Sequence, residues 1–172
     1  MTHPKAKPEE RRIFEEKIAA YSKNNKPIIY IDESGFAHDM PRTHGYSIRG
    51  QRCYGIHDWG ARGRTNAIGA IIGNKMLTVG LFDFNINTDI FNGWVKEDLI
   101  PKLPEESILV MDNATFHKSK DMQRDIKDAG HILEYLPPYS PDLNPIEHKW
   151  AQAKAHRRKL RCDVDYLFAE IL

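Results

Sequence analysis

Two short runs constrain this chain more than anything else in it: PIIYIDES, 27–34, and SILVMDN, 107–113. Each is a continuous apolar stretch that stops at an acid, Asp32 in one and Asp112 in the other. A strand that is apolar at every position, rather than at every second one, is buried on both faces. Such strands belong inside a sheet covered by helices.

The segments around them fit that frame. Residues 8–22 read as a helix, with Pro8 in its first turn and Phe14, Ile18 and Tyr21 on one face. TNAIGAIIG and KMLTVGLFDF are strand-like and meet at Gly73-Asn74, a hairpin signal. Thr88 is placed to cap a helix carrying Phe91, Val95 and Leu99 on one side, ended by Pro101 and Pro104. KSKDMQRDIKDAG predicts a helix with Met122, Ile126 and Ala129 inward, and Gly130 as its stop. HILEYLP is a further strand, and LPPYSPDLNP a rigid loop. Asn144 and Pro145 read as the cap and first residue of a last long helix with Ile146, Trp150 and Ala153 inward. A break near Cys162-Asp163 precedes a short helix turning Val164, Leu167, Phe168 and Ile171 inward. Residues 35–64 are mostly loop, with room for a short strand in Tyr46–Gly55. This order predicts an α/β fold, a mixed sheet with helices on both faces.

The chain's 172 residues suit one domain, and 41% hydrophobic with 28% charged residues excludes collagen-like and disordered classes. No apolar run approaches the roughly 20 residues of a membrane span. The start, MTHPKAKPEERR, lacks the apolar core of a secretory signal, so the expected place is the cytoplasm. Cys53 and Cys162 form no CxxC pair, which argues against a disulfide framework or a zinc knuckle.

Net charge is only +1, but its distribution is uneven. Arg42, Arg49, Arg52, Arg62 and Arg64 share the stretch from Pro41 to Arg64 with one acid, Asp58. Lys149, Lys154, Arg157, Arg158, Lys159 and Arg161 lie between His148 and Cys162 with none. Both stretches are candidate patches for a polyanion; the plainer reading is a charged loop and a solvated helix face.

Three acids stand out by placement: Asp32, Asp112, and Glu147 in the first turn of the last helix. In open sheets, sites form where parallel strands end. Two aspartates on adjacent strands and a glutamate from a covering helix can meet there. Such hard oxygen donors suit Mg²⁺ or Mn²⁺ rather than zinc. Singly, each acid also reads as turn chemistry, and Asn144 with Glu147 as a capping pair.

IDES, MDNATFHKS and LPPYSPDLNPIEHKW together resemble the catalytic domain of mariner-like DDE transposases, in particular their bacterial insertion-sequence branch. The 34 residues between Asp112 and Glu147 match the glutamate-ending members, and the resemblance runs from about Pro27 to about Arg158. It implies a ribonuclease-H-like fold over 27–172, with 1–26 as a helical lead-in. It also implies a triad of Asp32, Asp112 and Glu147 holding two Mg²⁺ or Mn²⁺ ions. The reaction implied is metal-dependent hydrolysis at a transposon end, then attack of the freed 3′-hydroxyl on target DNA. The implied partners are transposon-end and target double-stranded DNA, a second copy in the active complex, and a nucleoid setting. Full-length relatives carry N-terminal helix-turn-helix modules. The residues before the first strand are too few for one, so a partner or a frameshift fusion is expected to supply it.

Around the triad, Asn113 and His117 are placed to orient Asp112 or to contact the scissile phosphate; otherwise they complete a turn and begin a helix. Glu33 points, by alternation, to the face opposite Asp32. Asp142 reads as a turn residue. Pro137, Pro138, Pro141 and Pro145 stiffen the approach to Glu147. Trp150 reads as core, and Trp59 as either a base-stacking or a loop-packing residue. The candidate DNA contacts are Arg49, Arg52, Arg62, Arg64, Asn113, His117, Lys149, Arg157 and Arg158, which would set affinity and salt dependence rather than specificity. Two other readings stay open: a catalytically silent DNA-binding remnant that regulates a transposase, and a ribonuclease-H-like nuclease that cuts without joining.

Overall fold

The computed structural model describes residues 4–39, 47–52 and 63–171. Arg42, Arg62, Cys53, Trp59 and four residues of Tyr46–Gly55 fall outside them; the described part of that span, 47–52, forms no strand. Five strands form one sheet in the order β3-β2-β1-β4-β5. β1 is Ile28–Ala37, β2 Arg64–Ile72, β3 Lys75–Phe82, β4 Ile108–Met111 and β5 Ile132–Tyr135. β2 and β3 are the expected hairpin, turned at Gly73, whose φ of +56° suits a residue without a side chain. β1 pairs antiparallel with β2, parallel with β4, and β4 runs parallel to β5.

Alternation along β1 and β4 sorts the core into two layers. Ile29, Ile31, Leu109 and Met111 face one way, against Phe91, Val95 and Leu99. These come from α2, Thr88–Trp94, and a π-helical turn, Val95–Leu99; Met122 and Ile126 of α3, Lys120–Asp128, join them. On the other face, Ile108 and Val110 pack on Phe14 of α1, Pro8–Lys23. Phe36 packs there on Trp150 of α4, Ile146–Leu160, and on Leu167 and Phe168 of α5, Val164–Ile171. Helices thus cover both faces, as the order of elements predicts.

Three boundaries differ from the sequence reading. β1 does not stop at Asp32 but runs on to Ala37. Its parallel ladder with β4 reaches only Tyr30↔Val110, while its antiparallel ladder with β2 continues to Ala37↔Arg64. Asp32 therefore sits where β4 leaves β1. Asn87 rather than Thr88 caps α2, its side chain accepting from the Ile90 N–H at 2.9 Å. Asn144 makes no side-chain cap on α4; its carboxamide oxygen is buried with no partner among the described residues. The break before α5 is as expected, with Arg161 left-handed at φ +52°; the Ile171 side chain is outside the described ones.

Candidate functional site

The parallel register of β1 and β4 pairs Ile28 with Ile108, Ile29 with Leu109 and Tyr30 with Val110. Two residues further along both strands stand Asp32 and Asp112. The last helix supplies Glu147 from its first turn. All three acids line one cavity of about 390 Å³, walled on its far side by Leu136, Pro137, Pro138 and Asn144. Among the described residues, no Lys, Arg or His lines it.

Asp32 shows what that lack of cations costs. Burial, then the charges of Glu33, Glu147 and Asp112, push its pKa from 3.8 up to about 7. Its Oδ2 accepts a hydrogen bond from the Trp150 indole N–H at 3.1 Å. Trp150 can reach because β2 carries Gly69 beneath it: a Cβ there would stand 2.5 Å from the indole ring. Trp150 is core, as its spacing predicts, and it also orients a carboxylate. The helix that brings Glu147 thus also steers Asp32.

Asp112 is held differently. Its Oδ1 accepts from the Ala114 N–H at 2.8 Å and from His117 Nδ1 at 2.6 Å. His117 Nε2 lies 2.8 Å from Glu33 Oε1 on the other side. The imidazole is fully buried, wedged between the rings of Phe91 and Phe116 at 4.4 and 4.3 Å. Burial alone would lower its pKa. The hydrogen bonds and charges of Asp112 and Glu33 outweigh that and raise it to about 9. At neutral pH both ring nitrogens therefore donate, and the imidazolium holds Asp112 below the usual carboxylate range.

This corrects the placing of His117 among the DNA contacts: a side chain with no exposure cannot meet a phosphate, and what it meets is Asp112. Arg157 is corrected too. It lies on the inner stripe of α4 with Ile146, Trp150 and Ala153. Its guanidinium donates to the Ala37 carbonyl at 2.6 Å and the Cys162 carbonyl at 3.2 Å. It ties β1 to the turn between α4 and α5. Asn113 is exposed and its amide donates to the Leu136 carbonyl, joining the ends of β4 and β5 beside the cavity. Arg49, Arg52, Arg64 and Arg158 are exposed and Lys149 half-buried.

Glu33 faces away from Asp32, as alternation predicts, but its bond to His117 had no signal in the sequence: the two lie 84 residues apart. Asp142 makes its turn and also receives a bidentate Arg11, at 2.9 and 2.7 Å.

Three carboxylates lining a cavity with no protein cation among its described residues fit a hard divalent ion in kind. They are spread open: among the described residues no three His, Cys, Asp or Glu side chains converge closely enough to enclose a metal. The fit is one of donor chemistry and shared cavity.

A family model described as "DDE superfamily endonuclease" matches residues 27–165. A search of curated proteins found no match. Among solved structures, the chain is similar to the Mos1 transposase paired-end complex with left transposon end. The TM-score is 0.73 and the identity 16%, over 91% of this chain and 51% of that one. It is similar also to the Mos1 mariner paired-end complex with Mn, with TM-score 0.71 and 18% identity over 92% and 52% of the two chains. Against the catalytic domain of Mos1 mariner transposase the TM-score is 0.59 and the identity 14%, over 92% and 76%. The chain spans about half the length of the first two. The fold is ribonuclease-H-like, as the resemblance implies.

Proposed function

The chain belongs to the DDE superfamily endonucleases, and from that premise we propose that it is the catalytic part of a DNA transposase of the bacterial insertion-sequence branch. It hydrolyses a phosphodiester at a transposon end; the freed 3′-hydroxyl then attacks a target phosphodiester, joining the strands and releasing a 3′-hydroxyl on the target. One observation carries this reading: Asp32, Asp112 and Glu147, brought from three separate parts of the fold, line a single cavity with no Lys, Arg or His among its described lining residues. The triad would hold a pair of Mg²⁺ or Mn²⁺ ions, which when bound supply nucleophile activation and charge neutralisation at the phosphate.

The chain's own residues prepare that site. His117, braced by Glu33, fixes the Oδ1 of Asp112 and leaves Oδ2 clear of these contacts. Trp150 does the same for Asp32, engaging Oδ2. Outer partners of this kind set the orientation of a metal ligand. Tyr139 and Ser140 bring hydroxyls to the cavity wall, and that of Ser140 donates to the Pro138 carbonyl at 3.3 Å rather than to a base. Arg49, Arg52, Arg62, Arg64, Lys149 and Arg158 are assigned to phosphate contact, and Asn113 to the cavity edge. Double-stranded transposon ends and target DNA are the partners, read by a helix-turn-helix module and brought together in a dimer. The setting is the nucleoid. No described helix is long and apolar enough to cross a membrane.

The test is a cleavage and joining assay with Mn²⁺, a labelled pre-nicked DNA end and supercoiled plasmid, with Asp112→Asn as control. Joined products from the wild type that vanish in the variant support the proposal. Cleavage without joining selects a nuclease. DNA binding with neither product selects a silent remnant.

A further inference from the structure

The wall of the cavity opposite the aspartates is the loop 136–144, and this loop has little of its own to hold it in place. It makes no strand or long helix, only a short 3₁₀ turn at Pro141–Leu143. Tyr139 stands in the left-handed region at φ +57°, strained for an aromatic residue. Prolines remove donors at Pro137, Pro138 and Pro141. Yet the loop's exit sets Asn144 and Glu147.

What holds it is α1, which precedes the segment matched by the family model. At one end of α1, Arg11 grips Asp142 with both guanidinium nitrogens, Nη1 to Oδ1 at 2.9 Å and Nη2 to Oδ2 at 2.7 Å. Arg11 is largely shielded, its side chain 13% exposed, and the fork geometry fixes direction as well as distance. Two turns on, Lys17 reaches Glu134 of β5 at 3.1 Å, and the Tyr21 hydroxyl donates to the same carboxylate at 2.8 Å. Between these anchors Phe14 is buried against Ile108, Val110 and Leu136, with Leu143 packed on the same cluster. The helix therefore bridges the strand before the loop and the turn at its end. Among the described residues, the Arg11–Asp142 fork is the one ion pair the loop makes.

We infer that α1 is a clamp on the catalytic loop, and that Arg11 is a positioning residue for Glu147 acting through Asp142. As a statement about activity this rests on the transposase reading above; as a statement about the loop it does not. The clamp links a helix outside the matched segment to the placement of the third carboxylate.

The experiment is a charge swap in the full chain: Arg11→Asp, Asp142→Arg, and the two together, with Arg11→Lys as the mild variant. The first readout is hydrogen exchange at the amides of Tyr139, Ser140, Asp142, Leu143, Asn144, Ile146 and Glu147 in metal-free, DNA-free protein. Each single reversal should raise exchange there by about 2-fold to 100-fold, the span of coupling between touching residues, and the double should restore it. Arg11→Lys, which keeps the charge and loses the fork, should fall between. The second readout is cleavage. The singles should lower the rate at saturating DNA by about tenfold, short of the roughly 100-fold that a 1 Å misplacement can bring, with DNA affinity unchanged and the double recovering. Unaltered exchange in the singles, or a double no better than either, overturns the clamp. So does a loss of DNA affinity in Arg11→Asp that the double leaves unrepaired, since Arg11 would then be a phosphate contact. The exchange readout decides the clamp even where the wild type cleaves nothing, a result that would count against the proposed activity alone.

Discussion

Asp32 and Glu33 are neighbours on one strand, yet the two faces they serve treat charge in opposite ways. On Glu33's side a buried imidazolium stands between two carboxylates, and Asp112 is held below the ordinary range. On Asp32's side three carboxylates share a cavity lined by no basic residue among those described, and Asp32 rises to about 7. The fold can place a cation between acids where it needs one. In the proposed reading the open face takes its cation from outside, and the closed face is its support.

Breaking the open face should have the largest effect. Glu147→Gln keeps the shape of α4 and removes a charge from the cavity. It should reduce cleavage by more than the roughly 10–100-fold typical of losing an outer partner of a metal ligand. It should also lower the Asp32 pKa, seen by carbon NMR of the carboxyl group. Breaking the closed face should cost less. Glu33→Gln leaves His117 a hydrogen-bond partner but not a charge, so cleavage should fall within that 10–100-fold range. An activity equal to wild type would remove the supporting role.

The two faces should also part along the pH axis. Asp32 has a folded pKa above its unfolded one, so its contribution to stability is full below about 3.8 and is lost as pH rises through about 7. His117 is raised from 6.5 to about 9, so its contribution is full below 6.5 and lost as pH rises through 9. Metal-free melting temperatures should therefore fall in two steps as pH rises, one up to about 7 and one up to about 9. Asp32→Asn should flatten the step below pH 7, and Glu33→Gln should draw the upper one to lower pH. Asp112, depressed, acts in the opposite sense and is lost as pH falls through its folded value.

Smaller effects separate support from contact. Gly69→Ala puts a Cβ within 2.5 Å of the Trp150 ring, and should cost about 1–3 kcal/mol while loosening the indole from Asp32. Arg157→Met should lower stability by about 1–3 kcal/mol for the two carbonyls left unpaired, with the salt dependence of DNA binding unchanged. Arg158→Ala should do the reverse, lowering the logarithmic salt slope by about 0.9 for one phosphate contact. Equal behaviour of the two arginines would undo the distinction drawn from burial.

The difference between these arginines was legible in the sequence. Ile146, Trp150 and Ala153 define an inner stripe whose next member is Arg157. The patch reading followed charge where spacing already gave the face. The sheet was legible because PIIYID and SILVM are apolar at every position, and the hairpin because Gly73-Asn74 separates two strand-like runs. The three acids were legible because Asp32 and Asp112 each follow an apolar run and Glu147 falls in the first turn of a helix. The end of β1 was not: apolar character stops at Asp32, but the pairing that carries the strand to Ala37 comes from β2. Nor could spacing show Glu33 meeting His117, or Arg11 meeting Asp142, since these contacts exist only once distant segments pack. Local pattern exposes the cavity's carboxylates; the residues that orient them are joined by tertiary structure alone.

The most direct measurement is calorimetric titration of Mn²⁺ into the wild type and Asp32→Asn near pH 6.5, each in two buffers of different ionisation heat. An Asp32 carboxyl pushed to about 7 must release its proton to become a ligand. The account predicts binding with proton release in the wild type, and weaker binding without that release in the variant. Binding that releases no proton and is indifferent to Asp32, or no binding at all, would contradict the claim that the open face is built to receive a cation.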